Sequence, residues 1–165
     1  MTFTYVHARP SVTVDVALVG FDDTDVPKVL LIRRGRPGTP FEGCWALPGG
    51  FVDEDEDLLD AARREMWEET QVELKDLRQV GAFGKPGRDP RGHVISVAFL
   101  AAIEMGTVNP VAADDARDCA WHPLDNLPPL AFDHGDIIAA AMTRMYHDFL
   151  VGQHLGEFEV AHPVP

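Results

Sequence analysis

The segment Gly50 to Val72, GFVDEDEDLLDAARREMWEETQV, constrains this chain more than any other, because it gathers nine of the 27 acidic residues around only two arginines, Arg63 and Arg64. Asp57 has the chemistry of a helix N-cap and Asp60, three positions on, that of a weak capping-box partner. Leu58, Leu59, Ala62 and Met66 recur at the spacing of an apolar helix stripe. On the helix they predict, Glu65, Glu68 and Glu69 stand at i, i+3 and i+4, so their carboxylates project from one face. Like charges at those spacings oppose a helix by roughly a few tenths of a kcal/mol per pair. A bound divalent cation offsets that cost, whereas a solvated acidic face leaves it standing. Arg64 lies four residues before Glu68, within reach of an ion pair, and Glu56 can hold it from the other side.

Elsewhere, SVTVDVALVGF from Ser11 to Phe21 alternates around Val12, Val14, Val16 and Leu18 and reads as a strand with one strongly apolar face. DDTDVP is a turn, and Val26 to Arg34 a second strand pairing with the first. Gly35, Pro37, Gly38 and Pro40 then impose a loop. Cys44 to Leu47 is a short extended piece ending in the turn Pro48-Gly49-Gly50. After the acidic helix, Val72 to Phe83 and His93 to Ile103 read as strands, joined by the Gly-, Pro- and Arg-rich loop GKPGRDPRG. Cys119 to His122 is a further short strand. Ile137, Ile138, Ala141, Met145 and Phe149 recur at helical spacing over Asp133 to Val151, with Asp133 as N-cap. Strands around two long helices in this order suggest a mixed sheet between helices. One domain is expected over residues 1–152, with a tail, residues 153–165, that is either mobile or set against a partner subunit.

The acidic segment has the spacing Gly50, five residues, Glu56, seven residues, Arg64-Glu65, two residues, Glu68-Glu69, one residue, Gln71-Val72. This resembles the Nudix box, the signature of hydrolases acting on nucleoside diphosphates linked to another moiety. One position departs, since the family usually has Gly where this chain has Gln71. Helices commonly end on a left-handed residue, which Gly adopts freely and Gln only at a cost of roughly 1–2 kcal/mol. The helix is therefore expected to end differently here. RPSVTVD, WALPGG, PGRDPRGHVISVAF and LAFDH extend the resemblance toward the bacterial ADP-ribose pyrophosphatase branch.

The resemblance implies an α/β/α sandwich with a mixed β-sheet between helices, and hydrolysis of ADP-ribose to AMP and ribose 5-phosphate with Mg²⁺ or Mn²⁺ as cofactor. Hard cations prefer oxygen ligands, in keeping with Glu. By position in the motif, Glu65 and Glu69 are the principal metal ligands, with Glu68 completing the site or polarising water and the Gly49 carbonyl as a further ligand. Glu68, Glu69 and Arg64 form the catalytic set, Arg64 as an orienting group. Several branches of the family place a base or an extra metal ligand on a downstream loop, a role open here to Asp114 or Asp115, with an Asx turn or cap in an exposed loop as the alternative. Arg88 and Arg91 are the best local source of positive charge for phosphate or ribose, against a reading as solvated hairpin charges; Arg33 and Arg34 are weaker candidates. Phe83 or Tyr5 can stack on an adenine or belong to the core. Trp45 and Trp67 read as packing residues, and His93 as a strand residue with a satisfied imidazole. The same site also suits nucleoside triphosphates, NADH or sugar nucleotides, and a sensor that binds ADP-ribose without cleaving it is the non-enzymatic alternative.

At 165 residues, 45% apolar and 25% charged, the chain has the composition of a globular domain. No apolar run approaches the ~20 residues of a membrane span and the amino terminus lacks the apolar segment of a signal peptide, so no membrane partner and a cytoplasmic location are expected. Cys44 and Cys119, without a CxxC pair, read as reduced thiols. A net charge of −13 argues against nucleic acid as a partner and for a small-molecule nucleotide met by local positive charge. Asp22, Asp23, Asp25 and the acids from Asp53 to Asp55 serve solubility. A homodimer is compatible with the unassigned tail.

Overall fold

The computed structural model describes residues 6–23, 26–114 and 116–155; Tyr5, Asp25, Asp115 and residues 156–165 lie outside the described residues. Its sheet is built on β1 (Ser11–Phe21), which pairs in parallel with β6 (Val94–Glu104) from Ser11 opposite Val94 to Phe21 opposite Glu104. On its other side β1 meets β2 (Lys28–Arg34) and β4 (Gly49–Phe51), both antiparallel. Outward from β2 lie β3 (Trp45–Ala46) and β7 (Ala116–Pro123), and β5 (Arg78–Phe83) borders β6. The sheet is thus mixed, as the sequence predicts.

Helix α1 (Leu58–Thr70) covers one face and α2 (His134–Leu155) the other. Val14, Val16 and Leu18 of β1 join Ala61, Ala62 and Met66 of α1 in one core. Ala17 and Val19 join Ile137, Ile138 and Ala141 of α2 in a second. The result is the expected α/β/α sandwich. It also corrects the reading of β1 as one-sided: Thr13 to Gly20 are buried without a break, because a strand sandwiched between helices has no wet face.

Other boundaries move for local reasons. Gly49 and Gly50 are not a turn but part of β4, opposite Asp15 and Val14 of β1. Only Arg78–Phe83 of the stretch after α1 is strand; Val72 and Leu74 instead fill the core under that helix. The strand expected at Cys119 runs longer, because β2 offers it partners from Lys28 to Arg34. His93 is exposed and precedes β6, its carbonyl accepting the Ser11 N–H. Trp67 is 43% exposed, so it is not a packing residue. Among the described residues, no helix is long and apolar enough to cross a membrane.

Asp57 caps α1 as predicted, its Oδ1 accepting the Leu59 N–H at 2.9 Å, while Asp60 bonds Arg63 rather than closing a capping box. At the other end the expectation fails. Gln71 itself takes the left-handed conformation, with φ 57° and ψ 24°. Its backbone N–H and its side-chain amide both donate to the Trp67 carbonyl, at 2.8 and 2.9 Å. The side chain thereby satisfies a helix-end carbonyl a second time, which offsets the strain that Gly would avoid.

Candidate functional site

The three glutamates of α1 line a cleft of about 320 Å³ together with Arg34, Arg36 and Arg91. Gly49 and Gly50 form its floor, and sterics explain both. A Cβ on Gly50 would overlap the Glu65 carboxylate, and one on Gly49 would overlap the Val14 carbonyl oxygen. The double glycine lets β4 lie flat between β1 and the acidic face.

Arg64 is the hub. Its Nε and Nη2 donate to the two carboxylate oxygens of Glu56 at 2.7 and 2.8 Å, its Nη1 to Glu65 at 2.7 Å and Glu68 at 3.1 Å, and its Nη2 also to the Phe51 carbonyl at 3.0 Å. The guanidinium's donors are thereby spent inside the protein, and Arg64 orients three carboxylates. Its hydrogen bond to Arg64 holds Glu56 below the usual carboxylate range.

Glu65 and Glu69 behave differently. Burial raises the Glu65 carboxyl in spite of Arg64. Glu69, 8% exposed, is pushed up to about 8 by burial, with Glu65 and Asp15 adding to the rise and the Gly49 N–H, 3.0 Å from its Oε2, opposing it. Glu68 stands more open, its side chain 44% exposed. A site that disfavours its own negative charge favours an incoming cation. Among the described residues, no three acidic, His or Cys side chains form a ready-made metal cage, since Glu65 and Glu68 give their oxygens to Arg64. The donor chemistry nonetheless fits a hard divalent cation: three carboxylates on one helix face, two of them desolvated, beside the backbone of Gly49.

Asp114 reaches this cleft, because the Val111 and Ala113 N–H groups pair with the Thr70 and Glu69 carbonyls at the end of α1. The arginines of the loop before β6 separate. Arg88 is buried against Asp133, the residue just before α2, with its Nε 2.8 Å from the carboxylate. That aspartate begins the helix through its carbonyl, and its side chain is spent on Arg88. Arg91 faces the cleft, gripped by the buried Asp89 through Nε and Nη2 at 3.0 and 2.7 Å. It lies 4.8 Å from the Phe51 ring and 5.3 Å from that of Phe132. Arg34 is also in the cleft, 5.0 Å from the Phe132 ring, whereas Arg33 is exposed and bonds the Gly43 carbonyl. Phe83 lies in the core beneath α2, away from the carboxylates.

Sequence reasoning missed a buried polar group under the cleft. Asp15, Ser96 and His134 meet on the α2 side of the sheet: Ser96 Oγ donates to Asp15, and His134 Nε2 lies 3.5 Å from Asp15 Oδ1. An acidic residue in the apolar run of β1 was the available signal. Burial raises Asp15 and lowers His134 from their ordinary values.

Comparison with known proteins fits this geometry. A family model described as NUDIX domain matches residues 9–141. An ADP-ribose pyrophosphatase of Methanocaldococcus jannaschii is 45% identical over 134 residues, which cover 81% of this chain and 73% of that protein. A crystal structure of a MutT/nudix family protein from Enterococcus faecalis has a TM-score of 0.80 at 34% identity, over 96% of this chain and 72% of that one. The NUDIX domain of Shewanella oneidensis NrtR, solved with ADP ribose, has a TM-score of 0.76 at 34% identity, over 84% and 90%.

Proposed function

Because the chain belongs to the Nudix family, we propose that it is a divalent-cation-dependent pyrophosphohydrolase that splits ADP-ribose into AMP and ribose 5-phosphate. The observation that carries this reading is one cleft lined both by desolvated Glu65 and Glu69 and by Arg34 and Arg91. Such a cleft suits a diphosphate, whose oxygens need positive charge from a cation held by the carboxylates and from the arginines. The named pyrophosphatase and the ADP-ribose-bound domain support the choice of substrate.

Glu65 and Glu69, with the Gly49 carbonyl, would hold the cation, Mg²⁺ or Mn²⁺. When bound, it neutralises phosphate oxygens and makes a coordinated water more acidic. Glu68, the most open of the three, polarises the attacking water. Water adds to one phosphorus, the P–O bond to the bridging oxygen breaks, and the two phosphates leave as AMP and ribose 5-phosphate with one proton released. Arg64 keeps Glu65 and Glu68 oriented throughout. Arg91 is pre-aimed by Asp89 and grips phosphate or ribose without first losing side-chain freedom.

Product analysis on ADP-ribose, NADH, diadenosine polyphosphates and nucleoside triphosphates, in Mg²⁺ and again in EDTA, tests the reading. AMP released preferentially from ADP-ribose and only with metal is expected. Preferential cleavage of another substrate replaces ADP-ribose, and tight ADP-ribose binding without turnover turns the reading to a sensor.

A further inference from the structure

His134 opens α2, is 4% exposed and takes no part in the chemistry above. Its Nδ1 accepts the Leu47 N–H at 2.8 Å across 87 residues of sequence. The ring proton is therefore on Nε2, 3.5 Å from one oxygen of Asp15, whose other oxygen accepts from Ser96. Leu47 begins the short link Leu47-Pro48-Gly49 into β4, and three of its polar backbone groups are held by three different elements. The Leu47 N–H goes to α2, the Pro48 carbonyl accepts the Val16 N–H of β1 at 2.8 Å, and the Gly49 N–H reaches Glu69 of α1 at 3.0 Å. Gly49 itself sits against the Val14 carbonyl and Asp15, where no Cβ fits. Three groups in three residues, fixed from three directions, leave the link little freedom, and its last residue is the backbone beside the acidic cleft.

We infer that His134 is a positioning residue for the cleft: by fixing the Leu47 N–H it sets the Gly49 backbone against Glu69 from the opposite face of the sheet. The inference rests on the cation-dependent reading above. It assigns Asp15 and Ser96 the task of holding the imidazole, as carboxylates and hydroxyls do for histidines whose orientation matters.

The test reads Mn²⁺ affinity by electron paramagnetic resonance without substrate, together with kcat and KM on ADP-ribose. His134→Ala is expected to bind Mn²⁺ about tenfold more weakly and to lose about tenfold in kcat, with KM changed less than about twofold. His134→Asn, whose amide oxygen replaces the Nδ1 acceptor, is expected to recover most of both. Ile137→Val loosens the packing of α2 without touching the link and is expected to keep the wild-type affinity. Ser96→Ala, a milder break in the same network, is expected to weaken Mn²⁺ binding about threefold and serves if His134→Ala does not fold. Unchanged Mn²⁺ affinity in His134→Ala and Ser96→Ala overturns the inference, as does an equal loss in Ile137→Val. Wild-type protein that neither binds Mn²⁺ nor cleaves any nucleotide overturns this inference and the hydrolase reading together; binding by the wild type with unaffected variants overturns this inference alone.

Discussion

One carboxylate oxygen of Glu69 accepts the backbone N–H of Gly49 at 3.0 Å, tying α1 to β4 inside a desolvated corner of the cleft. Burial raises this carboxyl from 4.5 to about 8 in the folded protein, so at intermediate pH the fold binds a proton that the unfolded chain has lost. The stability from this group is fully present below 4.5 and is lost as pH rises through about 8. Glu69→Gln removes the titration while keeping an acceptor for Gly49. In EDTA, urea midpoints of the variant and wild type are expected to diverge in the variant's favour as pH rises from 4.5 to about 8. A difference that does not vary with pH contradicts the burial of Glu69.

Gln71 gives a second expectation. Gly at this left-handed position relieves about 1 kcal/mol of strain but forfeits the side-chain bond to Trp67 and adds freedom to the unfolded chain. Gln71→Gly is therefore expected within about 1 kcal/mol of wild type in urea denaturation, with turnover unchanged. Gln71→Ala keeps the strain and loses the bond, and should be the least stable of the three. A large gain in rate for the Gly variant would show instead that Gln71 restrains catalysis.

Arg88 and Arg91, three residues apart, are expected to fail differently. Arg88→Ala strands Asp133 at the start of α2 and should cost about 3 kcal/mol, as breaking a buried pair does. Arg91→Ala strands the buried Asp89 and should also lower stability, but in the folded protein it should raise KM for ADP-ribose about tenfold with little change in kcat. Steady-state kinetics separate the two, and a raised KM in Arg88→Ala with an unchanged KM in Arg91→Ala would exchange their roles.

Arg64→Lys keeps the charge, but an ammonium cannot span Glu56, Glu65, Glu68 and the Phe51 carbonyl together. A fall in kcat of about tenfold or more is expected, with a smaller change in KM. Wild-type kcat in this variant would mean that charge alone is required there.

The sequence made α1 legible down to its cap, because Asp57, the apolar stripe and the glutamate spacing are local properties. The Arg64–Glu56–Glu68 cluster was legible for the same reason. What it hid depends on register and on contacts across the sheet. Asp15, Ser96 and His134 lie far apart in the chain and meet only because β1, β6 and α2 pack together. Register likewise turns Phe83 into the core beneath α2, while Phe51 and Phe132 flank Arg91 instead. The end of α1 was misjudged because propensity counts the strain on Gln71 but not the hydrogen bond its side chain can make.

The release of AMP from ADP-ribose, followed with increasing Mg²⁺ in wild type and in Glu69→Gln, is the decisive measurement. Metal-dependent formation of AMP and ribose 5-phosphate by the wild type is expected, with at least about a hundredfold lower turnover in a variant that still folds. Near-normal turnover in Glu69→Gln, or cleavage that persists in EDTA, would contradict the cation-dependent reading.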